Sequence, residues 1–173
     1  QQDYHHAFIY GEKLFLLNPK IEKLYQTLLN IIAKTKNWNQ LINITEKAYL
    51  NRIIQKEEAN ENKSVALYEI AKIKMKSDNQ EAIGLVEKAI SLKGNFSPYI
   101  KLYTQMLFAN NNNVKVLKVL KKYWSQSPSS LLRSSITEVL KENKINEIGF
   151  IKELISKNQN NEESKKLLID FAI

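Results

Sequence analysis

Histidine, paired carboxylates and cysteine are the first residues to weigh, because their spacing decides whether this chain can do chemistry. His5 and His6 are adjacent, so on a helix they point about 100° apart and cannot serve one metal ion together. We read them as surface side chains. Glu57/Glu58 and Glu162/Glu163 are carboxylate pairs of the kind acid/base catalysis uses. Each pair falls in a polar stretch or at a helix start, where solvation and the helix dipole account for it. The sequence contains no cysteine, which removes disulfides, thiolate metal sites and a cysteine nucleophile, and leaves the compartment undetermined by redox chemistry. No GxGxxG, P-loop, HExxH or Ser-His-Asp pattern is present. The expectation is a non-catalytic protein with no cofactor and no bound metal.

The formal charge of +8 invites polyanions, but only Arg52 and Arg133 are arginines among 26 basic residues. Nucleic-acid readers draw on the guanidinium fork, whereas lysine is a solvated point charge. A solvated, lysine-rich surface is the first reading, an anionic membrane surface the second, and no specific nucleic-acid target is expected. A chain of 173 residues with 43% hydrophobic residues can bury a sizeable core. No apolar run approaches 18 residues, so no segment is expected to span a bilayer. The chain opens on Gln1 and its last helix is expected to run to Ile173, from which we read it as a piece of a longer protein.

The elements come from a repeat. Small or apolar pairs seven apart recur at Ala7/Leu14, Leu41/Ala48, Ala82/Ala89 and Val116/Tyr123, with Phe150 at the next step. The steps are 34, 41, 34 and 34 residues, so one unit carries seven extra. Twelve residues after Ala7, Ala82 and Val116 stand Pro19, Gly94 and Pro128, which we read as turns between repeats. Asn18-Pro19, Ser97-Pro98 and Ser127-Pro128 each read as an N-cap followed by a helix start. Asp78 with Glu81 reads as a capping box, and Gly94 as a left-handed helix stop. Asn110 to Asn113 reads as a turn before a helix that buries Val116, Leu117, Leu120, Tyr123 and Trp124 and exposes Lys115, Lys118, Lys121 and Lys122. Residues 55–64, QKEEANENKS, are expected to be a polar loop reached by an overrunning helix from Trp38. No stretch alternates with period two, so no strand is expected.

A 34-residue unit resembles the tetratricopeptide repeat. That resemblance implies an all-α, right-handed solenoid of about four helix hairpins, forming one domain over residues 1–173 with repeat boundaries near 20, 63, 97 and 130. The usual Trp, Gly and Tyr of the first helix are missing. Such a solenoid offers a concave surface lined by the first helix of each repeat. The register places Lys23, Gln26, Asn30, Lys34, Leu67, Lys74, Lys101, Gln105 and Phe108 there, a mixture suited to an extended peptide or an acidic partner helix. The Lys/Asn clamp by which tetratricopeptide co-chaperones hold a C-terminal carboxylate is largely absent: Gln26, Asn30, Tyr68, Pro98 and Leu102 stand in its place. Uncapped terminal repeats also imply some self-association.

Residues 94–132 resemble the C-terminal part of the bacterial HemY-type tetratricopeptide proteins. Phe96, Pro98, Trp124 and Pro128 match, while Ser129 and Ser130 replace the usual His and second Pro. The likeness extends more weakly from Trp38 through the insertion and over residues 150–172. It implies a preceding membrane-spanning region and a helical domain on the cytoplasmic side of the inner membrane, where positive charge suits anionic lipid. It also implies a scaffold role in docking late haem-pathway enzymes such as ferrochelatase. The alternative is an adaptor for another envelope assembly.

Overall fold

The computed structural model describes residues 2–143 and 147–171, and every described element is helical. Among the described residues there are ten helices: α1 (Gln2–Leu17), α2 (Glu22–Thr35), α3 (Trp38–Leu50), α4 (Lys56–Lys74), α5 (Asn79–Lys93), α6 (Ser97–Ala109), α7 (Asn113–Gln126), α8 (Ser130–Asn143), α9 (Glu147–Ile155) and α10 (Glu162–Asp170). The expected run of the last helix to Ile173 lies outside the described residues. Two compact units divide the chain, Gln1–Lys93 with α1 to α5 and Gly94–Ile173 with α6 to α10.

In the first unit the core forms where one face of each helix turns inward. Phe8 and Phe15 of α1 meet Tyr25, Leu28 and Ile32 of α2 and Leu41, Ile44 and Ala48 of α3. Ala59 and Ala66 of α4 join the same cluster, and α5 buries Ala82, Val86 and Ala89. The small residues let helix axes approach closely, which is why Ala48, Ala82 and Ala89 are fully buried. In the second unit Trp124 is the largest fully buried side chain, packed in a core that also holds Tyr99, Ile100, Met106, Leu120, Leu132 and Ile136. Within this unit α6 meets both α7 and α8, α7 meets α8 and α9, and α10 meets α8 and α9.

Polar bridges carry the repeat length. Lys47 pairs with Glu12 thirty-five residues earlier at 2.9 Å. Asn62 Nδ2 donates to the Tyr25 hydroxyl at 2.9 Å across 37 residues, and Asn158 Nδ2 donates to the Trp124 carbonyl at 3.0 Å across 34. The Ser129 hydroxyl donates to that of Ser97 at 2.8 Å across 32 residues. A residue thus meets its counterpart one repeat away, which is the signature of stacked units.

Several turns form as their residues dictate. Gly94 takes φ of 72°, the left-handed stop after α5. Asp78 Oδ1 accepts from the Glu81 amide at 2.8 Å, capping α5. Asn110 to Asn112 make the α6–α7 turn: Asn111 adopts φ of 55° and the Asn112 side chain accepts from the Lys115 amide.

Other expectations need correction. In α1 the buried pair is Phe8 and Phe15, at 3% and 0% exposure, while Ala7 is exposed and Leu14 is 46% exposed. The register there is shifted by one residue, because the two phenylalanines gain more from burial than Ala7 and Leu14 would. Residues 56–64 are not a loop but the first half of α4, and α3 stops at Leu50. Lys, Glu and Ala are good helix formers, Glu57 and Glu58 complement the dipole in the first turn, and Ala59 and Ser64 are buried. The repeat boundary expected near 63 therefore falls inside α4. Since α4 starts 34 residues after α2 and α6 starts 41 after α4, the seven extra residues lie in a longer α4 and the turn that follows it. Pro19 belongs to a turn three residues before α2, and Ser129 rather than Ser127 caps α8, its hydroxyl accepting from the Leu132 amide at 3.3 Å. The start at Ser97-Pro98 holds, with Phe96 as the flanking residue.

Candidate functional site

On α2 the buried positions Tyr25, Leu28 and Ile32 leave Lys23, Gln26, Asn30 and Lys34 on the opposite, exposed side. The spacing of three or four residues puts these four in one stripe. All four can donate hydrogen bonds, and none is a carboxylate. On α4 of the same unit, Leu67 is half-buried. Lys74 pairs with Glu81 of α5 at 2.9 Å, and this hydrogen bond and charge raise the ammonium pKa above its ordinary value. Lys74 is therefore committed to the α4–α5 turn.

The end of the α2 stripe enters a cleft of about 630 Å³ lined by Tyr4, Phe8, Lys34, Lys36, Asn37 and Gln40, among others. Lys34 Nζ donates to the Tyr4 hydroxyl at 3.3 Å and lies 5.2 Å from that ring's centroid, a cation held over an aromatic face. Lys36 ends α2 at φ of 54°. His5 also lines the cleft, with the His6 ring 6.0 Å away and tilted by 56°. Among the described residues no three His, Cys, Asp or Glu side chains come together as a metal site would require.

In the second unit α6 presents Lys101, Gln105 and Phe108 at helical spacing, Gln105 exposed and the other two half-buried. Lys101 Nζ reaches the Ser134 hydroxyl of α8 at 3.4 Å. Sequence reasoning stopped at Phe108, yet the same surface continues along α8. Arg133 Nε donates to Glu163 at 2.9 Å and its Nη1 to Asp170 at 2.7 Å, tying α8 to α10. The Asp170 hydrogen bond is the larger reason the guanidinium is held in its charged form. A cleft of about 440 Å³ lies here, lined by Arg133, Ser134, Thr137, Glu138, Lys141 and Asp170. The signal was available: Ser134 stands 33 residues after Lys101, one repeat on.

The residues of the family resemblance do structural work. Trp124 is fully buried, and the Phe96 ring meets Tyr99 edge-on at 4.8 Å. No described helix is long and apolar enough to cross a membrane.

No family model matches this chain and no curated protein matches it, so the HemY-type resemblance gains no support there. The crystal structure of MamA superposes with a TM-score of 0.51 at 15% identity, covering 92% of this chain and 91% of that one. A second MamA crystal structure gives the same score and identity, with 85% of its chain covered. The crystal structure of YrrB, a TPR protein with an unusual peptide-binding site, gives 0.48 at 13% identity, covering 95% and 83%. The likeness to MamA speaks for the fold: an all-α helical-repeat solenoid of the tetratricopeptide type.

Proposed function

We propose that this chain is a non-catalytic binding module that takes up an acidic polypeptide, extended or helical, on the exposed faces of its repeat helices. The observation that carries the reading is the α2 stripe. Lys23, Gln26, Asn30 and Lys34 are exposed together, all able to donate hydrogen bonds, on a helix whose other face is locked into the core. A row of donors on an ordered helix suits a row of carboxylates, because the backbone that spaces them is already fixed before binding. Lys101, Gln105 and Phe108 offer the second unit a comparable surface of its own.

Titration calorimetry with an acidic peptide and its amide-substituted counterpart tests this. Lys23→Glu with Gln26→Glu should weaken the acidic peptide at least tenfold and spare the fold. Equal affinity for both peptides, or no effect of the substitutions, would sink the reading.

The finer assignment is docking of haem-pathway enzymes such as ferrochelatase beside an anionic inner membrane. It rests on Phe96, Pro98, Trp124 and Pro128, and a pull-down from source-cell membranes separates it from another envelope assembly. Recovery of haem-pathway enzymes by the native bait, lost with the charge-reversed one, supports it. Recovery of a different complex removes it and leaves the binding module.

A further inference from the structure

By the repeat steps, Asn39 of α3, Gln80 of α5, Val114 of α7 and Ile148 of α9 occupy one position, and all four are exposed. The exposure therefore belongs to the position and not to an end of the chain. Four residues on stand Asn43, Gly84, Lys118 and Lys152. The fold thus accepts polar or small residues at both positions, and packing does not ask for an apolar residue one turn before a lysine. The second unit nevertheless places that pair twice, with Val114 67% and Ile148 52% exposed.

Charge on these helices is one-sided. No acidic residue occurs anywhere from Gly94 to Thr137. In α7, α9 and the turn after α9 the sequence sets Lys115, Lys118, Lys121, Lys122, Lys152 and Lys157 against Glu147 and Glu153, four positive charges in excess. The two helices are in contact, and Lys121 of α7 is ion-paired with Glu153 of α9 while its ammonium lies 5.1 Å from the centroid of the Phe150 ring. A cleft of about 250 Å³ lies here, lined by Lys121, Lys122, Ser125, Glu153, Ser156 and Lys157 together with Leu154. Three ammonium groups and two hydroxyls thus share it with one carboxylate.

We propose that the outer face of α7 and α9 docks on an anionic phospholipid bilayer, its lysines meeting headgroup phosphates and Val114 and Ile148 entering the interface. Exposed apolar residues one helical turn from lysines are the interfacial pattern, because a bilayer takes up both at once. A nucleic acid would draw on the arginine fork, which this face lacks, and offers exposed aliphatic side chains no apolar layer to enter. Each lysine near an anionic leaflet strengthens binding about fivefold, so four charges in excess favour it over a neutral one by a factor on the order of several hundred. The proposal does not depend on the peptide reading of α2.

Co-sedimentation of this chain with phosphatidylcholine vesicles containing about one third phosphatidylserine, against phosphatidylcholine alone, tests this at about 0.1 M salt. The anionic vesicles should be bound at least about a hundredfold more tightly. Lys118→Glu with Lys152→Glu should weaken that binding at least about tenfold while circular dichroism stays unchanged. Lys13→Glu with Lys20→Glu makes the same charge change at exposed positions of the first unit and should weaken it by about threefold or less. The chain has no cysteine of its own, so Val114→Cys can carry a polarity-sensitive dye, whose emission should move to the blue on anionic vesicles. Equal binding of both vesicles, equal losses in the two charge-reversed variants, or an unmoved dye would each overturn the proposal. So would binding of single-stranded RNA without binding of vesicles, which would make the face a nucleic-acid surface.

Discussion

Truncating Phe15 to alanine should cost the first unit about 4 kcal/mol, whereas truncating its neighbour Leu14 should cost about 1 kcal/mol. The two residues are consecutive on α1 and both are large and apolar, so composition does not separate them. The structure does. Phe15 is fully buried, its ring 6.1 Å from that of Tyr25, so alanine leaves a cavity and removes a ring contact. Leu14 stands nearly half in water, so its truncation exchanges little. Each unit holds one of the two tryptophans, Trp38 in the first and Trp124 in the second. In a Trp124→Phe background, urea titration followed through Trp38 reads the first unit alone. At dilution low enough to keep copies apart, Phe15→Ala should lower the urea midpoint by about 2 M or leave the unit unfolded, with Leu14→Ala within about 0.5 M of the parent. Equal losses, or a larger loss at Leu14, would refute the one-residue register of α1 and restore the Ala7/Leu14 face to the core.

Three further outcomes follow from particular contacts. Burial pushes the Tyr25 phenol above its ordinary value of 10.0, with Thr45 and Asn62 partly offsetting that effect. The unfolded chain then loses this proton first as pH rises above 10, so stability should fall there, and Tyr25→Phe should flatten the decline of the urea midpoint above about pH 10. Arg52 holds φ of 58° in an exposed turn, so Arg52→Gly should raise stability by about 0.5 kcal/mol in thermal melts, where an added glycine elsewhere would lower it. Arg133→Met removes both bonds from α8 to α10. It should accelerate amide exchange in α10 and cost about 1 kcal/mol in low salt, less in high salt, the pairs being partly exposed.

The fold was legible where a residue's own chemistry names its conformation. Gly94, Asp78 and the Asn110–Asn112 turn needed no tertiary information, and the 34-residue step carried the repeat. Two features escaped because the deciding quantity is not local. Ala7/Leu14 and Phe8/Phe15 satisfy the same seven-residue spacing, so periodicity cannot choose between them. Only the neighbouring α2 and α3 surfaces, which take up the rings, do so. Residues 56–64 look polar enough for a loop, but no glycine or proline interrupts them, and the buried Ala59, Ser64 and Ala66 tie that stretch to the core. At the candidate site, α2's stripe was readable from helical spacing. The pairing of Lys74 with Glu81 and the continuation through Ser134 and Arg133 depend on contacts across turns and repeats.

The bridges that join residues one repeat apart also bear on how the protein is made. Ser97 meets Ser129, Tyr25 meets Asn62 and Trp124 meets Asn158, so none of these groups waits for a partner more than 37 residues downstream. Closing such short loops costs little entropy, and helical chains of low contact order fold in microseconds to milliseconds. A ribosome adding 5–20 residues per second delivers each missing partner within about two to seven seconds. Folding is thus far faster than synthesis: within each unit a repeat can dock on its predecessor as it emerges, and the apolar faces that the next repeat covers stay exposed for only one repeat's worth of translation.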